Sequence, residues 1–161
     1  VDLVIVRHAT MDDIEILVDL YKEFHEFHVK GVPDRLRIPC SYDDGDLSNK
    51  IEKILSERGS AIFVAEMEDA VVGLAEVYVK QDEANSLKLS YTYAHLQSVI
   101  VREAYRRQKI GRKLLLAVEQ WAKENDASEI RLDIWEFKNG PLEFYEKRGY
   151  YTLRRTMVRK L

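Results

Sequence analysis

"SVIVREAYRRQKIGRKLL", Ser98 to Leu115, passes from a β-branched run into an amphipathic segment through a short basic turn. The run belongs to a longer stretch, "YTYAHLQSVIV" (Tyr91–Val101), whose aromatic and β-branched residues predict a strand. From Gly111 onward, Leu114, Leu115, Val118, Trp121 and Ala122 recur at helical spacing as far as Asn125. A strand that feeds a helix start leaves the first backbone N–H groups unpaired, with the positive end of the helix dipole behind them. An anion fits there, a phosphate above all. Arg106, Arg107, Lys109, Arg112 and Lys113 add positive charge, and Gly111 would let a ligand come close to the backbone. The same residues also describe an ordinary solvated helix start, and the physics of the turn alone leaves both readings open.

Working outward, "EIRLDIW" (Glu129–Trp135) alternates like a strand and follows the helix. The strand–helix–strand crossover over 91–135 therefore predicts one parallel strand pair. Pro141 and Gly149 then bracket a short helix, and "YYTLRRTMVRKL" (Tyr150–Leu161) reads as a closing strand. Upstream, "AIFVAEM" and "AVVGLAEVYVK" are two strands of a hairpin. "DLVIVRHA" (Asp2–Ala9) is a first strand, and Thr10 with Asp13 forms a capping box for a helix that runs to about Lys30. Gly31–Asp46 is irregular, and Leu47, Ile51, Ile54 and Leu55 make a second helix ended by Gly59. The expected order is strand, two helices, three strands, helix, strand, helix, strand. That is an α/β fold with a mixed sheet.

The chain has 161 residues and shows no repeat or linker, so one domain over 1–161 is expected. A net charge of −3 and a pI near 5.9 exclude a general nucleic-acid binder, so any basic site must be local. No apolar run approaches the roughly 20 residues of a membrane span, and no signal peptide is visible, so neither membrane nor nucleic acid is an expected partner. The single cysteine, Cys40, cannot form an internal disulfide, which suits a reducing cytoplasm. His25 and His28 stand three apart on a helix with nothing else to complete a metal site, so no metal is expected.

Two stretches carry a family resemblance. "SVIVREAYRRQKIGRKLL" resembles the acetyl-CoA-binding motif of the GNAT N-acetyltransferase superfamily, a V-x-V strand end followed by Arg/Gln-x-x-Gly-x-Gly/Ala opening a helix. "LDIWEFKNGPLEFYEKRGY" resembles the family segment that ends in Tyr-Glu-Lys-x-Gly-Phe. The element order from Asp2 to Leu161 is also similar. Lys109 and Arg107 depart from the motif by standing where glycine is usual. The resemblance implies a mostly antiparallel sheet flanked by helices, with a central parallel strand pair splayed for CoA. It implies a cytoplasmic enzyme that uses acetyl-CoA and an amine acceptor, with a homodimer as an allowed assembly.

The implied roles fall on particular residues. Val99, Ile100 and Val101 would meet the pantetheine arm, the outer two by backbone pairing. The turn from Arg106 through Arg107, Gln108, Lys109, Ile110 and Gly111 to Arg112 would cradle the pyrophosphate with its N–H groups. Lys138 or Asn139 would take the place of a CoA-contacting asparagine. Tyr145 matches the general acid that protonates the leaving thiolate, although a core aromatic beside Phe144 is the other reading of that residue. A base must take a proton from the amine. Gln97 stands where a carboxylate is frequent and cannot do this, so Glu76 and His95 are the substitutes. Specificity is expected from Lys30–Asp46 and the 81–90 connection, where Asp43, Asp44 and Asp46 could attract a cationic amine. The implied reaction is direct acetylation of a small primary amine. A peptide N-terminus or lysine is the enzyme alternative, and a non-catalytic CoA-binding module is the rival outside catalysis.

Overall fold

A computed structural model describes residues 3–161; Val1 and Asp2, the latter expected in the first strand, lie outside the described residues. Five strands form one sheet in the order β1 (Val4–His8), β2 (Ser60–Met67), β3 (Ala70–Gln81), β4 (Thr92–Val101) and β5 (Glu129–Arg131). The first four pair antiparallel and β4 pairs parallel with β5. The expected mixed, mostly antiparallel sheet is thus observed. Helices α1 (Ile14–Gly31) and α2 (Asp44–Ser56) cover one face, α3 (Ile110–Glu124) covers the other, and α4 (Leu142–Glu146) follows β5.

Strand β2 is almost continuously apolar because both of its faces are covered. Ala61, Phe63 and Ala65 pack toward α3 with Leu114 and Val118, while Ile62 and Val64 pack toward α1 and α2 with Leu17, Leu20 and Ile51. The α3 side leaves no room at Gly73, where a Cβ would lie 2.7 Å from the Ile100 carbonyl oxygen and 3.3 Å from Leu114 Cδ1. The expected capping box lies on a 3-10 turn, Met11–Asp13, that leads into α1 rather than on α1 itself. The Thr10 N–H donates to Asp13 Oδ2 at 2.7 Å, and the Arg7 guanidinium grips the same carboxylate at 2.8 and 3.0 Å. The bond from Arg7 lowers the Asp13 pKa against the opposing effect of burial.

Three expectations are corrected. Helix α2 starts at Asp44, earlier than its apolar pattern implies, because Asp43 caps it by accepting from the Asp46 N–H at 2.9 Å. The acidic cluster is therefore a helix start, with Asp44 held by Lys22 at 2.6 Å and Asp46 by Lys50 at 2.9 Å. The strand read over 129–135 pairs only as far as Arg131. The closing strand over 150–161 is not formed: the backbone of residues 151–161 has no strand partner.

Candidate active site

The early end of β5 has its cause in β4. Glu76 of β3 pairs with Ser98 and Val77 pairs with Leu96, so Gln97 is an extra residue, a β-bulge. One extra residue exchanges the two faces of a strand. Ala94 and Leu96 face α3 before the bulge, whereas Val99 and Val101 face it afterwards, with Ile100 turned to the α1 side. A bulge of this kind also bends the strand that carries it. β5 follows it through the pairs Tyr93–Glu129, Ala94–Ile130 and His95–Arg131, then parts from it. At the parting point Arg131 is fixed by two bonds to Asp82 and one to Glu129, each of 2.8 Å, and lies 3.8 Å from the Tyr93 ring centre.

Between β4 and the unpaired Leu132–Trp135 segment opens a cavity of about 740 Å³, within the range of small-molecule sites. One wall is β4 from Leu96 to Val101. The start of α3 forms its floor, the end of α1 with Phe24, Phe27 and His28 flanks it, and Phe144, Tyr145 and Arg148 of the α4 region close it. Of the residues singled out in the sequence, Val99, Ile100, Val101, Arg106, Arg107, Lys109, Ile110, Gly111, Arg112, Asn139 and Tyr145 line this cavity. Gln108, Lys138, Glu76 and His95 are not among its lining residues. Leu36 reaches it from the irregular segment after α1, and no residue of the 81–90 connection does.

The basic turn has a definite shape. Arg107 and Lys109 hold φ of 65° and 63°, the left-handed region in which glycine is the least strained residue. The backbone thus keeps a glycine conformation at the two positions where the side chain departs from glycine. The first bond of α3 runs from the Lys113 N–H to the Lys109 carbonyl at 3.2 Å. The N–H groups of Ile110, Gly111 and Arg112 precede it and stand at the positive end of the helix. Arg106 does not extend outward: its Nε donates to the Val101 carbonyl at 3.0 Å and its guanidinium lies 4.9 Å from the Phe27 ring centre. It ties the turn to the end of β4. Gly111 accommodates protein as well as any ligand, since a Cβ there would sit 3.0 Å from Phe144 Cζ.

Tyr145 is buried at the cavity edge, its ring against Phe144 and Tyr150. Burial pushes its pKa well above the ordinary tyrosine value, so the hydroxyl keeps its proton at neutral pH. Glu76 is buried on the α1 side, where it accepts hydrogen bonds from the hydroxyls of Tyr21 and Tyr78. His95 Nε2 lies 3.2 Å from Gln97 Oε1. His25 and His28 each donate a ring N–H to a carbonyl, of Arg37 and Phe24 respectively, both at 2.8 Å.

One residue was missed in the sequence. Among the described residues lining the cavity, Asp133 alone carries a carboxylate. Continuing the β4–β5 register two steps past His95–Arg131 sets Asp133 opposite Gln97, where the strands have separated. The position of "LDIW" after a crossover helix was the available signal, but only the bulge brings Asp133 and Gln97 to the two sides of one opening.

Comparison with known proteins agrees with this architecture. The model of the acetyltransferase (GNAT) family matches residues 17–150. Human N-acetyltransferase 8 is 31% identical over 105 residues, 65% of this chain and 44% of that protein. The aminoglycoside N(6')-acetyltransferase type 1 of Serratia marcescens is 30% identical over 82 residues, 51% of this chain and 56% of that protein. The chain thus spans about half the length of the curated relatives it matches. Among solved structures, a tetramutant of the BH1408 protein from Bacillus halodurans superposes with a TM-score of 0.86 at 22% identity, covering 98% of this chain and 99% of that one. Aminoglycoside N-acetyltransferase AAC(6')-Iy in complex with CoA superposes with a TM-score of 0.77 at 16% identity, covering 98% and 94%. These two show a shared fold.

Proposed function

The chain belongs to the GNAT acetyltransferase family, and on that premise we propose that it transfers the acetyl group of acetyl-CoA to a primary amine of a small molecule, by direct attack while both substrates are bound. The observation that carries this reading is the opening between β4 and Leu132–Trp135, which leads from the basic turn to Tyr145. The diphosphate of CoA would rest on the N–H groups of residues 107–112, with Arg107, Lys109 and Arg112 supplying charge. Pantetheine would lie along Val99 and Val101, whose backbone on that side is released where β5 parts from β4.

The amine nitrogen attacks the thioester carbonyl, forming the C–N bond. The C–S bond then breaks, the departing thiolate takes the proton of Tyr145, which burial keeps in place, and the surplus N–H proton of the new amide restores the Tyr145 hydroxyl through water. The ammonium form of the acceptor must first lose a proton. Glu76 and His95 are candidates through water, and Asp133 joins them as the carboxylate that lines the opening. An acceptor would enter beside Phe24, Phe27, Leu36 and Trp135. The aminoglycoside-acetylating relative and the size of the cavity favour a small molecule over a peptide. We place the protein in the cytoplasm, consistent with one free, exposed cysteine, and propose that it works as a homodimer.

The test is release of free CoA thiol from acetyl-CoA with aminoglycosides, polyamines and N-terminal or lysine peptides as acceptors. Thiol release with small amines and little with peptides is expected. Preference for peptides would move the acceptor class. A rise in melting temperature with acetyl-CoA, with no turnover on any amine, would make the protein a CoA-binding module.

A further inference from the structure

The cavity between β4 and Leu132–Trp135 holds fewer acids than a polycationic acceptor needs. Among the described residues that line it, Asp133 supplies the one carboxylate, and the remaining charges are the cations of the basic turn and Arg148. The two segments expected to set specificity, 30–46 and 81–90, contribute only Leu36 to the lining. Their acids are engaged elsewhere. Asp43 accepts from the Asp46 N–H, Asp44 and Asp46 hold Lys22 and Lys50, and Asp82 is bound twice by Arg131. An ammonium group that enters without a carboxylate exchanges water for an apolar or cationic wall, which is costly. A monoamine makes one such demand, and Asp133 meets it. An aminoglycoside or a polyamine makes several.

The wall on the acceptor side is aromatic. The Phe24 and His28 rings of α1 lie 4.3 Å apart, His28 meets Phe27 at 5.4 Å, and Phe27 meets Phe137 at 5.6 Å. The rings therefore run from the end of α1 across to the segment after β5. The crossing is close: a Cβ at Gly31 would overlap the Phe137 ring. His28 does not break the apolar character on its backbone side, since its Nδ1–H is given to the Phe24 carbonyl. Leu36 extends this wall, and Trp135, 46% exposed, stands in the facing one. Rings that meet edge to face or tilted at these spacings attract a further ring in the same way.

We propose that the acceptor is an arylalkylamine: one primary amine on a short alkyl chain that carries an aromatic ring. Its ammonium group pairs with Asp133 before it loses a proton, and its ring lies against Phe24, Phe27, Leu36 and Trp135. Polycations are rejected by the charges they would leave unpaired rather than by size. This deepens the function proposed above and rests on it. It also sets the chain apart from its aminoglycoside-acetylating relative by the number of charges the acceptor carries.

The test measures kcat/KM by release of CoA thiol at saturating acetyl-CoA, with 2-phenylethylamine, ethylamine, spermidine and kanamycin as acceptors. The value for 2-phenylethylamine should exceed each of the others by about tenfold or more, ethylamine being the same chain without the ring. Leu36→Glu sets a second carboxylate at the cavity and should raise the ratio of spermidine to 2-phenylethylamine by about fivefold. Asp133→Asn should weaken binding of 2-phenylethylamine to the CoA-bound enzyme by about tenfold or more in calorimetry, a readout that involves no proton transfer. Spermidine or kanamycin matching 2-phenylethylamine, or ethylamine within about threefold of it, would overturn the aromatic monoamine and leave the transferase standing. An unchanged ratio in Leu36→Glu or unchanged amine binding in Asp133→Asn would do the same. Thiol release with none of these amines and no peptide, from a protein that acetyl-CoA still stabilises, would overturn the transferase itself.

Discussion

Lys109 caps α3 with φ 63° and ψ 15°, and replacing it separates two contributions that the lysine combines. A residue with a Cβ in the left-handed region is disfavoured by about 1–2 kcal/mol, and glycine is not. Lys109→Ala keeps that strain, while Lys109→Gly removes it. The greater freedom of glycine in the unfolded chain takes back about 0.4–1 kcal/mol. Glycine is also the better residue at a helix start. The glycine variant should therefore be the more stable of the two by about 1 kcal/mol, a difference of about 2–4 °C in Tm for a chain of this size. Binding of CoA should respond differently, because both variants lose the same charge. A lysine 4 Å from a phosphate in water is worth about 1 kcal/mol, so both should bind about fivefold more weakly than the parent and with a shallower salt dependence. Thermal unfolding and titration calorimetry measure the two effects separately. Equal stability of the alanine and glycine variants, or an advantage for alanine, would refute the strain argument. Affinities that differ between them, or match the parent, would refute the placement of the phosphates.

Tyr145→Phe keeps the packing on Phe144 and Tyr150 and removes the proton donor, so kcat should fall by about 10²–10⁴-fold with CoA affinity nearly unchanged; a change within twofold would make Tyr145 a packing residue. Since burial raises its pKa, a kcat profile of the parent should show no loss from Tyr145 ionisation near the ordinary tyrosine value of 10.0. The bond to Arg7 holds the pKa of Asp13 below its ordinary 3.8, so its stabilisation is complete above that value and lost as pH falls through the lower, folded one. Asp13→Asn should cost about 1–3 kcal/mol at neutral pH and flatten the acid limb of stability; an unchanged limb would remove Asp13 from that account. Gly73→Ala forces a Cβ against the Ile100 carbonyl and Leu114, and should cost about 1–3 kcal/mol by overpacking; a neutral result in chemical denaturation would show that the β4 backbone and α3 both give way.

The sheet's strands, its one parallel pair and the helix that opens on the basic turn were legible because each depends on local period and on turn residues. What depended on a neighbour was not. The strand expected over 129–135 stops at Arg131 because β4 turns away at Gln97, and the mixture of apolar and polar residues in "AHLQSVIV" conceals the change of phase. Tyr150–Leu161 is composed like a strand, but composition does not supply the strand it would pair with. Asp43, Asp44 and Asp46 looked like a ligand-attracting cluster because a cap and an acidic loop share a composition; the bond from the Asp46 N–H to Asp43 tells them apart. Glu76 was expected as a substitute base, yet the Tyr21 hydroxyl that meets it comes from a helix 55 positions away in the chain.

The extra residue at Gln97 also bears on how such an opening can arise or be lost. Loops tolerate insertions of many lengths, because their ends need only meet. Within a strand, length is counted in odd and even. Removing Gln97 alone would return Val99 and Val101 to the side of α1 and send Ile100 toward α3, while letting β5 zip onward past Arg131. Removing two residues would restore the parity but shorten the strand. A single-codon deletion is thus a more drastic change here than most substitutions at the same place: it would close the cavity and invert the strand's contribution to both cores in one event. Lineages that keep the fold should therefore hold the residue count between Leu96 and Ser98 constant, whatever side chain position 97 carries.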